Sequence, residues 1–171
     1  MKILVCISHV PDTTSKINFS ENNTVFDKTG VQFVINPNDE FGLTRAIWFK
    51  EKNNALVHVI NDGLSDKEST LRKALAIGAD KAIRINHDPK DGYSVAKYIS
   101  EYISNNSYDL IVAGRESIDY NGGMVPGMIS AFTEINFIDK CIDLNISGDS
   151  VEASREIEGC LLYTSDAADD M

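Results

Sequence analysis

The chain is short of bases and of cysteine, and both shortages narrow what it can be. With 16 Lys and Arg against 26 Asp and Glu, its formal net charge is −10, which argues against non-specific binding to nucleic acid or to an anionic membrane face. Three cysteines, Cys6, Cys141 and Cys160, stand far apart with no C-x-x-C pair. Neither a disulfide framework nor a thiolate metal site is indicated, and a reduced compartment fits. The histidines His9, His58 and His87 fall in separate segments without metal-ligand spacing. No apolar run reaches membrane-spanning length, so no membrane insertion is expected. Lys2-Ile3-Leu4-Val5 reads as a strand at once, which on this reading leaves no place for a signal or transit segment; the expected location is cytoplasmic. No nucleophile has a base beside it, and Asp39-Glu40 is explained by a helix dipole rather than by acid/base chemistry. A chain without its own catalytic residues is therefore expected.

What is present is enough for one globular domain: 171 residues, 43% hydrophobic and 25% charged. Lys2 to Ser8 is a near-continuous apolar run, as a sheet covered on both faces requires. From Lys16 to Val34 the pattern becomes half polar, with Ile17/Phe19 and Val31/Phe33 separated by Asn22-Asn23 and a Gly30 turn, which predicts an excursion of two small strands. Asn36-Pro37-Asn38-Asp39-Glu40 is a helix start, with Asn36 suited to cap, Pro37 to the first helical position, and the acids to the dipole. Ala55 to Ile60 predicts a second strand. A helix follows with Leu71, Ala74 and Leu75 on one face and Gly78 at a left-handed end. Lys81 to Ile85 predicts the third strand, and Val95, Tyr98, Ile99, Tyr102 and Ile103 the third helix.

The stretch from Asp109 to Met128 organises the rest. An apolar run, Leu110 to Ala113, ends at Gly114, and a polar loop through Arg115, Glu116, Ser117, Ile118, Asp119, Tyr120 and Asn121 leads to Gly122-Gly123. Beyond Met124, the residues Val125, Met128, Ile129 and Phe132 recur at helical spacing. Strand, glycine-rich turn and helix together aim backbone N–H groups and the positive end of a dipole at one point, which suits a phosphate. An empty, glycine-eased turn is the competing reading. The alternation of strand and helix predicts an α/β fold with a doubly wound, mostly parallel open sheet of Rossmann-like type. In such sheets ligands bind beyond the carboxyl ends of the strands. Four loops converge there: Cys6 to Pro11, Asn36 to Asp39, Asn61 to Gly63, and Gly114 to Val125. Phe137 to Asn145 and Ser150 to Ile157 read as further strands.

The end of the chain has another character. Cys160-Leu-Leu-Tyr-Thr-Ser-Asp-Ala-Ala-Asp-Asp170 looks like the translation of a sequencing-library adapter. Residues 1–159 are then the domain and 160–171 an artefact, kept out of the fold argument. Without that tail the formal charge of −10 loses the three acids Asp166, Asp169 and Asp170.

Five segments, KILVCISHVPDT, VINPNDEFGLTRAI, TLRKALAIGADKAI, DLIVAGRESID and VEASREIEG, resemble in order and spacing the β-subunit family of electron transfer flavoprotein, and from first to last they span nearly all of residues 1–159. The resemblance implies a nucleotide-binding domain of the adenine nucleotide α-hydrolase/electron transfer flavoprotein type. It also implies pairing with an α subunit to hold FAD and relay electrons from dehydrogenases to an acceptor, with AMP, or in bifurcating members a second FAD, in the β-subunit pocket. Carried over, that pocket comprises Cys6, Asn36, Pro37, Asn38, Asp39, Asp62, and Gly114 through Val125. Where the AMP-binding family has an acidic pair followed by Asn-Gln-Thr-Gly, this chain has Asp119-Tyr120-Asn121-Gly122-Gly123-Met124-Val125-Pro126. The hydroxyl and amide donors for phosphate are gone, leaving that work to the backbone of Gly122, Gly123 and Met124, with Arg115 nearby. A reading from another class is a stand-alone adenine-nucleotide-binding module of universal-stress type. It calls for a Gly-x-x-Gly with a later Gly-Ser/Thr after the fourth strand, which is absent.

Overall fold

The computed structural model describes residues 1–147, 150–157 and 160–165, the last of these by backbone alone. In chain order, β1 (Lys2–Cys6) is followed by β2 (His9–Pro11), β3 (Asn18–Ser20), β4 (Val25–Asp27), β5 (Phe33–Ile35) and α1 (Pro37–Asn53). Next come β6 (Leu56–Asp62), α2 (Glu68–Ile77), β7 (Lys81–Ile85), α3 (Gly92–Ser104), β8 (Leu110–Ala113) and α4 (Val125–Thr133). The remaining strands are β9 (Cys141–Ser147), β10 (Ser150–Ile157) and β11 (Cys160–Ser165).

The expected open sheet is present, with parallel strands in the order β7-β6-β1-β8. Alternation along β1 divides its side chains between two layers. Ile3, Val5 and Ile7 pack with Leu43, Ala46 and Phe49 of α1 and with Leu71 and Ala74 of α2. Leu4 and Cys6 pack on the other side with Ala96, Ile99 and Ile103 of α3 and Ile129 of α4. Both faces are covered, which is why β1 reads as an unbroken apolar run. The Gly78 to Asp80 corner locks one edge: Gly78 takes a positive φ of 136°, while the Asp80 carboxylate accepts from Val57 N at 2.9 Å and from Lys50 Nζ at 2.5 Å.

Two expectations change. Asn22 and Asn23 do form a turn, with left-handed φ of 59° and 66°, but the strand returning from it is β4, paired with β3. Phe33 belongs instead to β5, which pairs with β2 and stacks its ring on His9 at 4.3 Å. The turn is so tight that the chain re-enters a strand at Val25, and a second turn at Gly30 brings it back to His9. Phe137 to Asn145 is expected from its pattern to be strand throughout, whereas β9 begins only at Cys141. It joins β10 and β11 in a separate antiparallel sheet, order β11-β10-β9, whose strands follow one another with no helix between them. Within the adapter-like tail, Cys160–Ser165 runs antiparallel to β10; residues 166–171 lie outside the described residues.

Candidate functional site

The strand order reverses between β1 and β8, so the crevice beyond their carboxyl ends is the place to look for a site. The Asn36 to Asp39 corner sits there, and its side chains stitch the two strand exits together. Asn36 is fully buried. Its Nδ2 donates to Glu116 O at 2.8 Å and its Oδ1 accepts from Ile118 N at 3.2 Å. The expected helix-cap role is therefore corrected: Asn36 makes no side-chain cap bond to α1, since both ends of its amide are committed to a loop about eighty residues away. Asn38 adds a second donor to Glu116 O at 2.9 Å. Pro37 opens the helix as expected.

Asp39 is the centre of the corner. One carboxylate oxygen accepts from Ser8 N at 2.7 Å and the other from Gly114 N at 2.9 Å, so a single buried anion takes the amides at both strand exits. Burial pushes its pKa up to about 6, against the pull of those hydrogen bonds. Gly114 has to be glycine here, because a Cβ would lie 2.1 Å from Asp39 Oδ1.

The far half of the loop is differently made. Ser117 N donates to Gly122 O at 3.1 Å, closing a small turn whose left-handed residue is Asn121, with φ 56°, rather than either glycine. Asp119 Oδ1 accepts from Tyr120 N at 3.0 Å. Tyr120 and Met124 are 69% and 74% exposed. Met124 precedes α4 without a side-chain cap; Gly122 is bridged antiparallel to Ser117, and the amides of Gly123 and Met124 donate to no acceptor among the described residues. Gly123 packs its Cα side on backbone, where a Cβ would meet Arg115 O at 3.2 Å. The Arg115 guanidinium is turned to Glu156 of β10, at 3.3 Å. A cavity of about 160 Å³ opens beside Gly114, Arg115, Gly123 and Pro126 and is walled by residues 137–142 and Glu156. The sequence pattern does not foresee that wall, since it predicts plain strand there. Neither the Asn36 to Asp39 corner nor Asp62 lines the cavity.

Cys6 and Asp62 stand apart from this cavity. The Cys6 thiol lies in the core among Leu4, Ile60 and Ala96, and burial, reinforced by Asp39, pushes its pKa up to about 12. It is an inert packing group. Asp62 ends β6 with its side chain buried against His87, Oδ2 to Nδ1 2.9 Å, and burial raises its pKa while His87 opposes the shift. His87 escaped sequence reasoning because its partner lies 25 positions earlier on another strand. Among the described residues no group of His, Cys, Asp or Glu is placed to hold a metal ion. No described helix is long and apolar enough to cross a membrane.

An open parallel sheet with its loops gathered at the strand-order reversal defines the class: an α/β domain of electron transfer flavoprotein type. The chain belongs to the electron transfer flavoprotein domain family, whose sequence profile matches residues 23–169. It is similar to "Electron transfer flavoprotein subunit beta" of Bacillus subtilis (strain 168), at 32% identity over 93% of this chain and 63% of that protein. It resembles the protein of the same name from Thermoanaerobacterium thermosaccharolyticum at 34% identity, covering 92% of this chain and 62% of the relative. "Protein FixA" of Azotobacter vinelandii is 28% identical over 93% of the chain and 60% of its own length. The chain thus spans less than two thirds of the length of these relatives.

Proposed function

We propose that this chain is the nucleotide-binding part of an electron-carrier subunit. In this reading it binds AMP, or the adenylate half of a second FAD, at the crevice beyond β1 and β8, and pairs with an electron transfer flavoprotein α subunit to hold FAD. Dehydrogenases donate the electrons and a separate acceptor receives them. The observation that carries the reading is the pair of unpaired amides at Gly123 and Met124, just before the nine-residue α4. These donors, with the helix dipole behind them, are what a phosphate accepts from. Asp39 supports the same placement from the other side. Its carboxylate already fills the Ser8 and Gly114 amides, so a ligand phosphate is directed away from the strand exits and toward α4.

A bound flavin supplies the electron chemistry through its ring system. The chain's own residues do the binding. Asn36, Asn38 and Asp39 fix the loop, and the loop presents its amides. The relatives' names support the electron-transfer role. The test is to co-express the chain with an electron transfer flavoprotein α subunit, purify the complex, extract its small molecules with acid and identify them by mass. A yellow complex yielding FAD, with AMP or additional FAD, is the expected result. A colourless monomer that hydrolyses ATP and carries no nucleotide would overturn the reading.

A further inference from the structure

The outer side of α3 carries a groove that shares no residue with the nucleotide site. It holds about 460 Å³ and is lined along α3 from Tyr93 to Asn105, with Phe132 of α4 as the opposite wall. Ser100 is buried on its floor, and the hydroxyl has no hydrogen-bond partner among the described residues. A small polar floor suits the close approach of a polar occupant better than a purely apolar one. At one end the exposed rings of Tyr93 and Phe132 meet edge to face at 5.5 Å. Lys97 and Glu101 are exposed on the same helix face, four positions apart. The basic residue comes first, the weaker order for a pair within one helix, and neither has an ion-pair partner among the described residues. Asn105 gives Nδ2 to Glu101 O at 2.8 Å, which leaves its Oδ1 as an acceptor.

This series of groups is its own complement when reversed. We propose that the groove is filled by α3 of a second copy of the chain, the two helices lying antiparallel about a twofold axis midway between Lys97 and Glu101. Each Lys97 ammonium then meets the Glu101 carboxylate of the other copy, and each Tyr93 hydroxyl donates to the Asn105 Oδ1 of the other copy. Phe132, beside Tyr93, covers the last α3 turn of the opposite helix at Ser104. A parallel arrangement sets Lys97 against Lys97 and Glu101 against Glu101, so charge fixes the direction. The contact surface carries one base and one acid, and the repulsion of the remaining net negative charge is largely screened at 0.15 M salt. A contact through one 13-residue helix, about 20 Å long, falls short of the roughly 800 Å² per partner of a standard interface, so the dimer is weak, with a Kd of about 10–100 μM.

The experiment is sedimentation velocity on the full chain at 0.15 M salt, over about 5 to 200 μM, a range that brackets the expected Kd. The unaltered chain should pass from monomer toward dimer across that range. Lys97→Glu and Glu101→Lys are surface changes that leave the fold alone, and each sets like charges together at both symmetric contacts, so each should weaken self-association by about tenfold or more. An equimolar mixture of the two variants again sets acid against base at both contacts, and it should dimerise about as well as the unaltered chain. A chain that stays monomeric throughout, whether its groove is empty or serves another protein, overturns the inference. So does association that survives both reversals, or a mixture no better than its components.

Discussion

The loop from Gly114 to Met124 has two halves made on opposite principles. In the first, each polar contact reaches a distant residue: Gly114 N goes to Asp39, Glu116 O receives Asn36 and Asn38, and Ile118 N goes to Asn36. In the second, among the described residues, the chain bonds only to itself, at Ser117 with Gly122 and at Asp119 with Tyr120, and ends on exposed Met124 with the Gly123 and Met124 amides unpaired. One half uses its hydrogen-bonding capacity in being held; the other keeps it for something else. A binding loop needs both, because amides are useful donors only if they are already in place when the ligand arrives.

If that division is correct, glycines in the two halves should respond very differently to a methyl group. Gly114→Ala places a Cβ 2.1 Å from Asp39 Oδ1 and 2.7 Å from its backbone N, so the corner must open, with a loss of about 3 kcal/mol or more in urea unfolding. Gly122→Ala first meets the Tyr120 ring, at 2.6 Å. That ring is exposed and free to rotate away, so the change should stay within about 0.5 kcal/mol. Equal losses at the two sites would break the comparison.

Asn36 sharpens it. Were this residue a helix cap, Asn36→Ser would be nearly silent, since serine caps as well as asparagine. Because its amide instead bridges Glu116 O and Ile118 N, serine cannot reach both, and unfolding should show a loss of about 2 kcal/mol. Asn38→Ala should cost less, as Glu116 O keeps its bond from Asn36.

A smaller expected effect than those at Gly114 and Asn36 is a pH trend. Asp39 titrates at about 6 in the folded chain against an ordinary 3.8. Between those values the folded chain holds a proton that the unfolded chain has released. The cost of burying this charge is therefore fully present above about pH 6 and relieved as the pH falls toward 4. Stability measured at pH 5 and pH 7 should favour pH 5 by about 1 kcal/mol more in the unaltered chain than in Asp39→Asn.

Sequence alone reached the parallel sheet because its signals are local. Lys81–Ile85 and Ser150–Ile157 have the expected bounds, and the four helices lie where apolar spacing placed them. The Asn-Pro corner was legible as a position and misread as a cap, since spacing along the chain shows where a side chain starts but not which remote backbone it meets. Pattern places Phe33 in the wrong strand pair for a similar reason: two turns with left-handed residues stand close together, and spacing does not say which one closes the hairpin. The Asp62–His87 bond and the wall at residues 137–142 were invisible, being products of how separate strands lie side by side.

Backbone amide NMR of the chain during titration with AMP tests the central claim most directly. The Gly123 and Met124 resonances should shift and gain protection from exchange, while Ser8 and Gly114, already bonded to Asp39, stay where they are. Shifts at Ser8 and Gly114 with Gly123 and Met124 unmoved would contradict the account.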